Sequence, residues 1–162
     1  MKAPSPFLLL MLMSGCTAPE PVKITTVVGP SSAAQAGARE DGALKVFSRR
    51  EMKGDADGPV ELPHSDYEVC TPAGNRVQVV RNSTEQNVLL PAIVPLHPGR
   101  YLIKARARNS GMVEVPVLIK SGRITVLHLD RGGTSQHLTA DAGENVVRLP
   151  DGSPIGWRAT NP

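Results

Sequence analysis

The sequence predicts an all-β chain: a small seven-stranded β-sandwich with a flexible N-terminal tether and a C-terminal hairpin-like tail. Three observations lead there. Apolar residues alternate with polar ones at a period of two in several short stretches, the mark of half-buried strands. Those stretches are punctuated by clusters of Gly, Pro and Asn at turn-like spacing. No segment sustains a 3.6-residue period; residues 33–39 come nearest, and Gly37 interrupts them.

The strands follow in order. Residues 43–48 alternate, with Leu44 and Val46 on one side and Lys45 and Phe47 on the other. Residues 49–58 are polar and rich in turn formers. Their two aspartates and two glycines lack the spacing and the terminal bidentate Glu of a calcium loop, so they read as a solvated loop. Residues 66–71 and 76–81 flank the turn Pro72-Ala73-Gly74-Asn75 and form a predicted hairpin, with Val77 and Val79 facing inward. Residues 87–94 make a fourth strand, interrupted by Pro91.

The centre of the chain is residues 95–130. Pro98-Gly99 supplies a sharp reversal. After it, Tyr101, Ile103, Ala105 and Ala107 share one face, with Leu102, Lys104, Arg106 and Arg108 on the other. Asn109-Ser110-Gly111 turns the chain, and Val113, Val115, Val117 and Ile119 line the next strand. Pro116 cannot donate to a ladder, which predicts an edge position or a bulge there. Lys120-Ser121-Gly122 turns again into residues 123–130, apolar enough on both sides to be covered on both. Beyond, residues 131–162 form a linker and tail. Two short apolar arms around Asp151-Gly152 predict a hairpin that docks back on the sandwich, with Trp157, the one tryptophan, covering an apolar gap. The alternative is a presented recognition element.

Leu96, Pro98-Gly99-Arg100-Tyr101, the strand from Val113 to Ile119, and Gly122 followed by Thr125-Val126 together resemble the PEGA and carboxypeptidase-regulatory-like families of prealbumin-type β-sandwiches. The resemblance spans about half of the chain, the length of one small domain. It implies an Ig-like/prealbumin-type sandwich and a non-enzymatic module appended to an envelope or secreted protein, with no catalytic residues to carry over.

Composition agrees with a thin core. Only 3% of residues are aromatic, and there are 15 glycines and 15 prolines, so Val, Leu, Ile and Ala must fill the interior. The N-terminus supplies an address. Lys2, an apolar run over residues 7–13 and then Ser14-Gly15-Cys16 make an export signal that is too short to span a bilayer. Ser14-Gly15-Cys16 resembles the bacterial lipobox, in which the Cys thiol takes the lipid, with Met13 standing where Leu is usual. The domain plan is therefore a signal peptide (1–15), a tether (16–42) rich in Pro, Ala, Ser and Gly, a sandwich (43–130) and a tail (131–162). Within the tether, residues 24–28 are β-prone. Thr17 after the Cys favours the outer membrane by the enteric sorting rule, leaving the domain periplasm-facing or surface-exposed. With Cys16 acylated, Cys70 is left as a lone thiol, read as a small buried hydrophobe.

Chemistry is sparse. His64, His97, His128 and His137 lack metal-ligand spacing. No nucleophile elbow, phosphate loop or dinucleotide fingerprint occurs. These absences predict neither enzyme nor cofactor nor metal. Without Lys2 the chain carries 17 basic against 15 acidic residues, too even a balance for nucleic acid. One constellation remains: Arg100, Lys104, Arg106 and Arg108 share a strand face in a row about 20 Å long. That row suits an anionic glycan, lipopolysaccharide phosphates or an acidic protein patch; the preferred reading is a solvated face that resists aggregation. The sequence thus predicts a lipid-anchored envelope module that engages a protein assembly, with anionic carbohydrate as the alternative partner. The candidate site residues are Cys16 for lipid and Arg100, Lys104, Arg106, Arg108 and Trp157 for binding.

Overall fold

The computed structural model describes residues 19–31, 40–52, 63–82, 90–130 and 145–160. Eleven strands run through them: β1 (Val22–Lys23), β2 (Val28–Gly29), β3 (Gly42–Phe47), β4 (Tyr67–Cys70), β5 (Arg76–Val80), β6 (Ile93–Leu96), β7 (Gly99–Ala107), β8 (Gly111–Ile119), β9 (Ile124–His128), β10 (Val146–Arg148) and β11 (Pro154–Arg158). They form two mixed sheets. The larger is ordered β10-β11-β2-β8-β7-β4-β5, with β1 also pairing to β8; the smaller is ordered β6-β3-β9. The all-β sandwich expected from the period-two pattern is therefore present. Six of the seven expected strands are β3 to β5 and β7 to β9; the one expected over residues 87–94 lies partly outside the described residues, and β6 starts only at Ile93, beyond Pro91, while the chain termini contribute the other four strands.

The frame is the β7–β8 hairpin, nine residues on each arm, paired from Gly99 opposite Ile119 to Ala107 opposite Gly111. Gly111 (φ 66°) and Gly122 (φ 63°) close the turns on either end of β8 in the left-handed region, where a Cβ would be strained. After Gly122 the chain changes sheets: β9 pairs in parallel with β3, Ala43 opposite Ile124 through Phe47 opposite His128. The Thr125 hydroxyl donates to the Leu118 carbonyl at 2.7 Å and ties the two sheets at this crossover. Leu44, Val46 and Leu127 of the small sheet meet Val69, Ile103, Val113, Val115 and Val117 of the large one in a single core, all at 0% exposure.

The termini depart most from expectation. Residues 16–42 read as a tether, yet β1 pairs in parallel with β8 (Val22 opposite Val113), and β2 is wedged between β8 and β11. Val28 is fully buried. Burying a Val side chain contributes about 1.5–3 kcal/mol, enough to hold a two-residue strand that has no ladder of its own to speak of. The tail is likewise part of the sheet. β10 and β11 form the expected hairpin, and β11 reaches the sandwich through β2, with Trp157 opposite Gly29.

Two orientations also differ. Val77 and Val79 face out, at 52% and 48% exposure, while Val80 is buried at 7%. The register shifts between Val69 and Cys70, pairing Cys70 with Arg76 but Val69 with Gln78. The extra residue reverses the parity of β5 and turns Gln78 and Val80 inward. β8 is an interior strand, not the edge that Pro116 suggested. The Glu114 carbonyl accepts from Ile24 N, so Pro116, two residues on, points its missing donor to the same side. There it meets the break between β1 and β2, where no ladder bond is needed. The export signal with Cys16, the loop over residues 53–58 and His137 lie outside the described residues.

Candidate functional site

The basic row is where β7 should place it, on the outer face, but it is not uniformly basic. Glu68 stands opposite Lys104, Lys104 opposite Glu114, and Glu114 opposite Lys23. Arg76 Nη1 lies 3.3 Å from Glu68 Oε1, Lys104 Nζ 3.5 Å from Glu114 Oε1, and Lys23 Nζ 3.7 Å from Glu20 Oε1. The result is a ladder of alternating sign across β5, β4, β7, β8 and β1. Each such pair contributes about 0.2–1 kcal/mol, so the ladder stitches strands rather than attracting an anion. Arg106 is drawn off to Glu51 at 3.4 Å. Among the described residues Arg100 and Arg108 keep exposed guanidinium groups with no ion pair.

Trp157 is half-buried within β11, its backbone between Val146 and Gly29. It belongs to the sheet as much as to the surface. Cys70 is fully buried, and burial pushes its thiol above the ordinary value, with Lys104 opposing and Glu68 reinforcing the rise. A raised thiol is a poor nucleophile, which agrees with the small-hydrophobe reading.

The polar constellation that sequence reasoning missed is interior. Ser48 Oγ donates to the Ser65 carbonyl at 2.5 Å, and His64 Nδ1 faces the Ser48 carbonyl at 2.6 Å. A carbonyl only accepts, so Nδ1 carries the proton. Asn82 is the hub. Its Nδ2 donates to the Ser65 carbonyl at 3.2 Å and to Ser48 Oγ at 3.4 Å, and its Oδ1 accepts from Ala92 N at 3.1 Å. Its own amide donates to Asp66 Oδ1 at 3.0 Å. Buried at 3% exposure, Asn82 is unsuited to carry a glycan despite its Asn-Ser-Thr context. The clasp joins the ends of β3, β4 and β5 to the start of β6. Phe47 extends it, stacking on His128 at 4.8 Å and meeting the His64 ring edge-on at 5.6 Å. Among the described residues, His64 Nε2, Ser65 Oγ, Tyr67 Oη and Asp130 Oδ1 are buried without hydrogen-bond partners.

Ser48 and His64 are not arranged as a nucleophile and its base. Ser48 Oγ spends its proton on a carbonyl and not on His64, so the pair lacks the nucleophile–base bond that acyl transfer needs. No three His, Cys, Asp or Glu side chains converge on a metal-sized site among the described residues. The clasp had no signature in the sequence beyond polar residues at strand ends, because its partners are 10 to 34 positions apart. No family model, curated protein or solved structure matches the chain.

Proposed function

We propose that the chain is a membrane-anchored cell-envelope lipoprotein of the outer membrane, whose β-sandwich is a non-enzymatic structural or protein-interaction module. The observation that carries this reading is Ser14-Gly15-Cys16, placed directly after an apolar run and six residues ahead of the first strand. The PEGA-like and carboxypeptidase-regulatory-like residues around the β7–β8 hairpin support the module part. Several acyl chains, each buried CH₂ worth about 0.8 kcal/mol, hold such a protein firmly on lipid. Mass spectrometry of the N-terminal peptide should find Cys16 acylated, and Cys16→Ala should move the protein from the membrane to the soluble fraction. An unmodified Cys16, or a Cys16→Ala protein just as firmly membrane-bound, refutes the anchor.

The second reading is a binding module for anionic envelope carbohydrate or lipopolysaccharide. It is favoured by the exposed guanidinium groups of Arg100 and Arg108, which have no ion pair among the described residues, and it is weakened at Lys104 and Arg106 by their carboxylate partners. Arg100→Ser with Arg108→Ser should abolish salt-sensitive binding to isolated lipopolysaccharide; unchanged binding removes this reading.

A further inference from the structure

The way β1 enters the sheet sets which end of the sandwich a lipid at Cys16 would hold to the membrane. β1 runs parallel to β8, Val22 opposite Val113 and Lys23 opposite Glu114. Followed backwards, the chain leaves the sheet toward Gly111, where β8 begins. That end also carries the Arg108–Gly111 turn, the end of β9 through the bond from Arg108 N to the Leu129 carbonyl, and Arg49, whose amide donates to the Arg106 carbonyl. Two large apolar side chains are exposed here: Met112, at 41%, beside the β1 entry, and Met52, at 76%, next to the Glu51 that pairs with Arg106.

Cys16 precedes Pro19 by three residues and Val22 by six. A fully extended chain spans at most about 3.6 Å per residue, so the acylated residue lies within roughly 22 Å of Val22. β7 and β8 are nine residues long, about 30 Å at the rise of a strand. The headgroup layer of one leaflet takes up about 5–8 Å of the leash. What remains is shorter than the sandwich, so the domain cannot turn end over end. A free tether over residues 16–42 would have allowed every face to reach the bilayer; β1 removes that freedom.

We propose that in the lipidated protein the end bearing the Arg108–Gly111 turn faces the phospholipid headgroups, with Met112 and Met52 against them. The opposite end, with the turns over residues 71–75, 97–99 and 120–123, is then presented away from the membrane to the partner. This rests on the acylation of Cys16 proposed above. The surface is a lipid one because the leash ends in lipid and its length leaves no other end within reach.

The test uses the full, acylated chain in vesicles of phosphatidylethanolamine and phosphatidylglycerol containing a headgroup-nitroxide lipid. A fluorophore is attached at Met112→Cys in one sample and at Asn75→Cys in another, each with Cys70→Ser. Quenching should be several-fold stronger at position 112 than at 75. Inserting 20 Gly/Ser residues between Ala18 and Pro19 should bring the two positions together. Equal quenching without the insertion, or stronger quenching at 75, overturns the orientation while leaving the anchor intact. Absence of the acyl mass on the N-terminal peptide overturns both.

Discussion

Gly156→Ala tests whether the N-terminal and C-terminal strands close on each other as described. Gly156 sits in β11 opposite Val147, and a Cβ there would come within 2.6 Å of Val28 Cγ1 and 3.0 Å of the Val126 carbonyl. Ordinary contacts lie beyond about 3.4 Å, so Val28 would have to retreat by roughly 0.8 Å in an interior packed to crystal density. The Val126 carbonyl belongs to β9 and cannot follow. Overpacking of this kind costs about 1–3 kcal/mol. Against it stands a gain of about 0.4–1 kcal/mol from the stiffer unfolded chain, because Gly156 does not need a positive φ. The net expectation is a loss of about 1–2 kcal/mol, or a fall in Tm of roughly 4–10 °C for a domain of this size. Thermal and urea unfolding measure it, and hydrogen exchange should show faster opening of β2, β10 and β11 than of β7 and β8. Removing Val28 methyl groups makes room, so Val28→Ala combined with Gly156→Ala should lose less than the sum of the single changes, by at least about 0.5 kcal/mol. A raised Tm for Gly156→Ala, or strict additivity in the pair, would refute the close approach of β11 to β2 and β9.

Further outcomes are expected at three other residues. Asn82→Ala removes the hub of the buried clasp and strands the Ala92 amide, for a loss of about 2–3 kcal/mol in urea unfolding, whereas a surface change such as Asn75→Ala should cost far less. Tyr67→Phe deletes a buried hydroxyl that has no partner among the described residues and should be neutral or stabilising by up to about 1 kcal/mol. Burial also holds the Tyr67 hydroxyl well above its ordinary value, so the wild type should lose stability as pH rises past about 10, where only the unfolded chain ionises; Tyr67→Phe should flatten that decline. Asp151 is held below the usual carboxylate range, first by the Ser153 backbone amide. Its contribution to the β10–β11 turn is thus present above the ordinary carboxylate range and lost as pH falls through the lowered value. The protection of the Gly152 and Ser153 amides, measured against their intrinsic exchange rates, should fall in acid, and Asp151→Ala should show that lower protection already at neutral pH.

What the sequence by itself determined is local. Alternation in β7 and β8 marked buried and exposed faces correctly because each nine-residue arm carries its own pattern, bounded by glycines that must turn. The same locality made β3, β4 and β9 legible and placed Arg100, Lys104, Arg106 and Arg108 outward. Tertiary structure decided the rest, wherever pairing partners are distant in the chain. A two-residue strand such as β2 has no periodicity to read; it exists because β8 and β11 offer it edges and the core buries Val28. The parity of β5 turned on one extra residue in a stretch apolar at Val77, Val79 and Val80 alike, so composition could not choose a face. Pro116 is tolerated in an interior strand only because the neighbouring edge is broken opposite it. The basic row became a ladder of alternating charge once β4 and β1 brought Glu68 and Lys23 alongside. In each case the deciding energy comes from contacts between segments far apart in sequence, which no window along the chain contains.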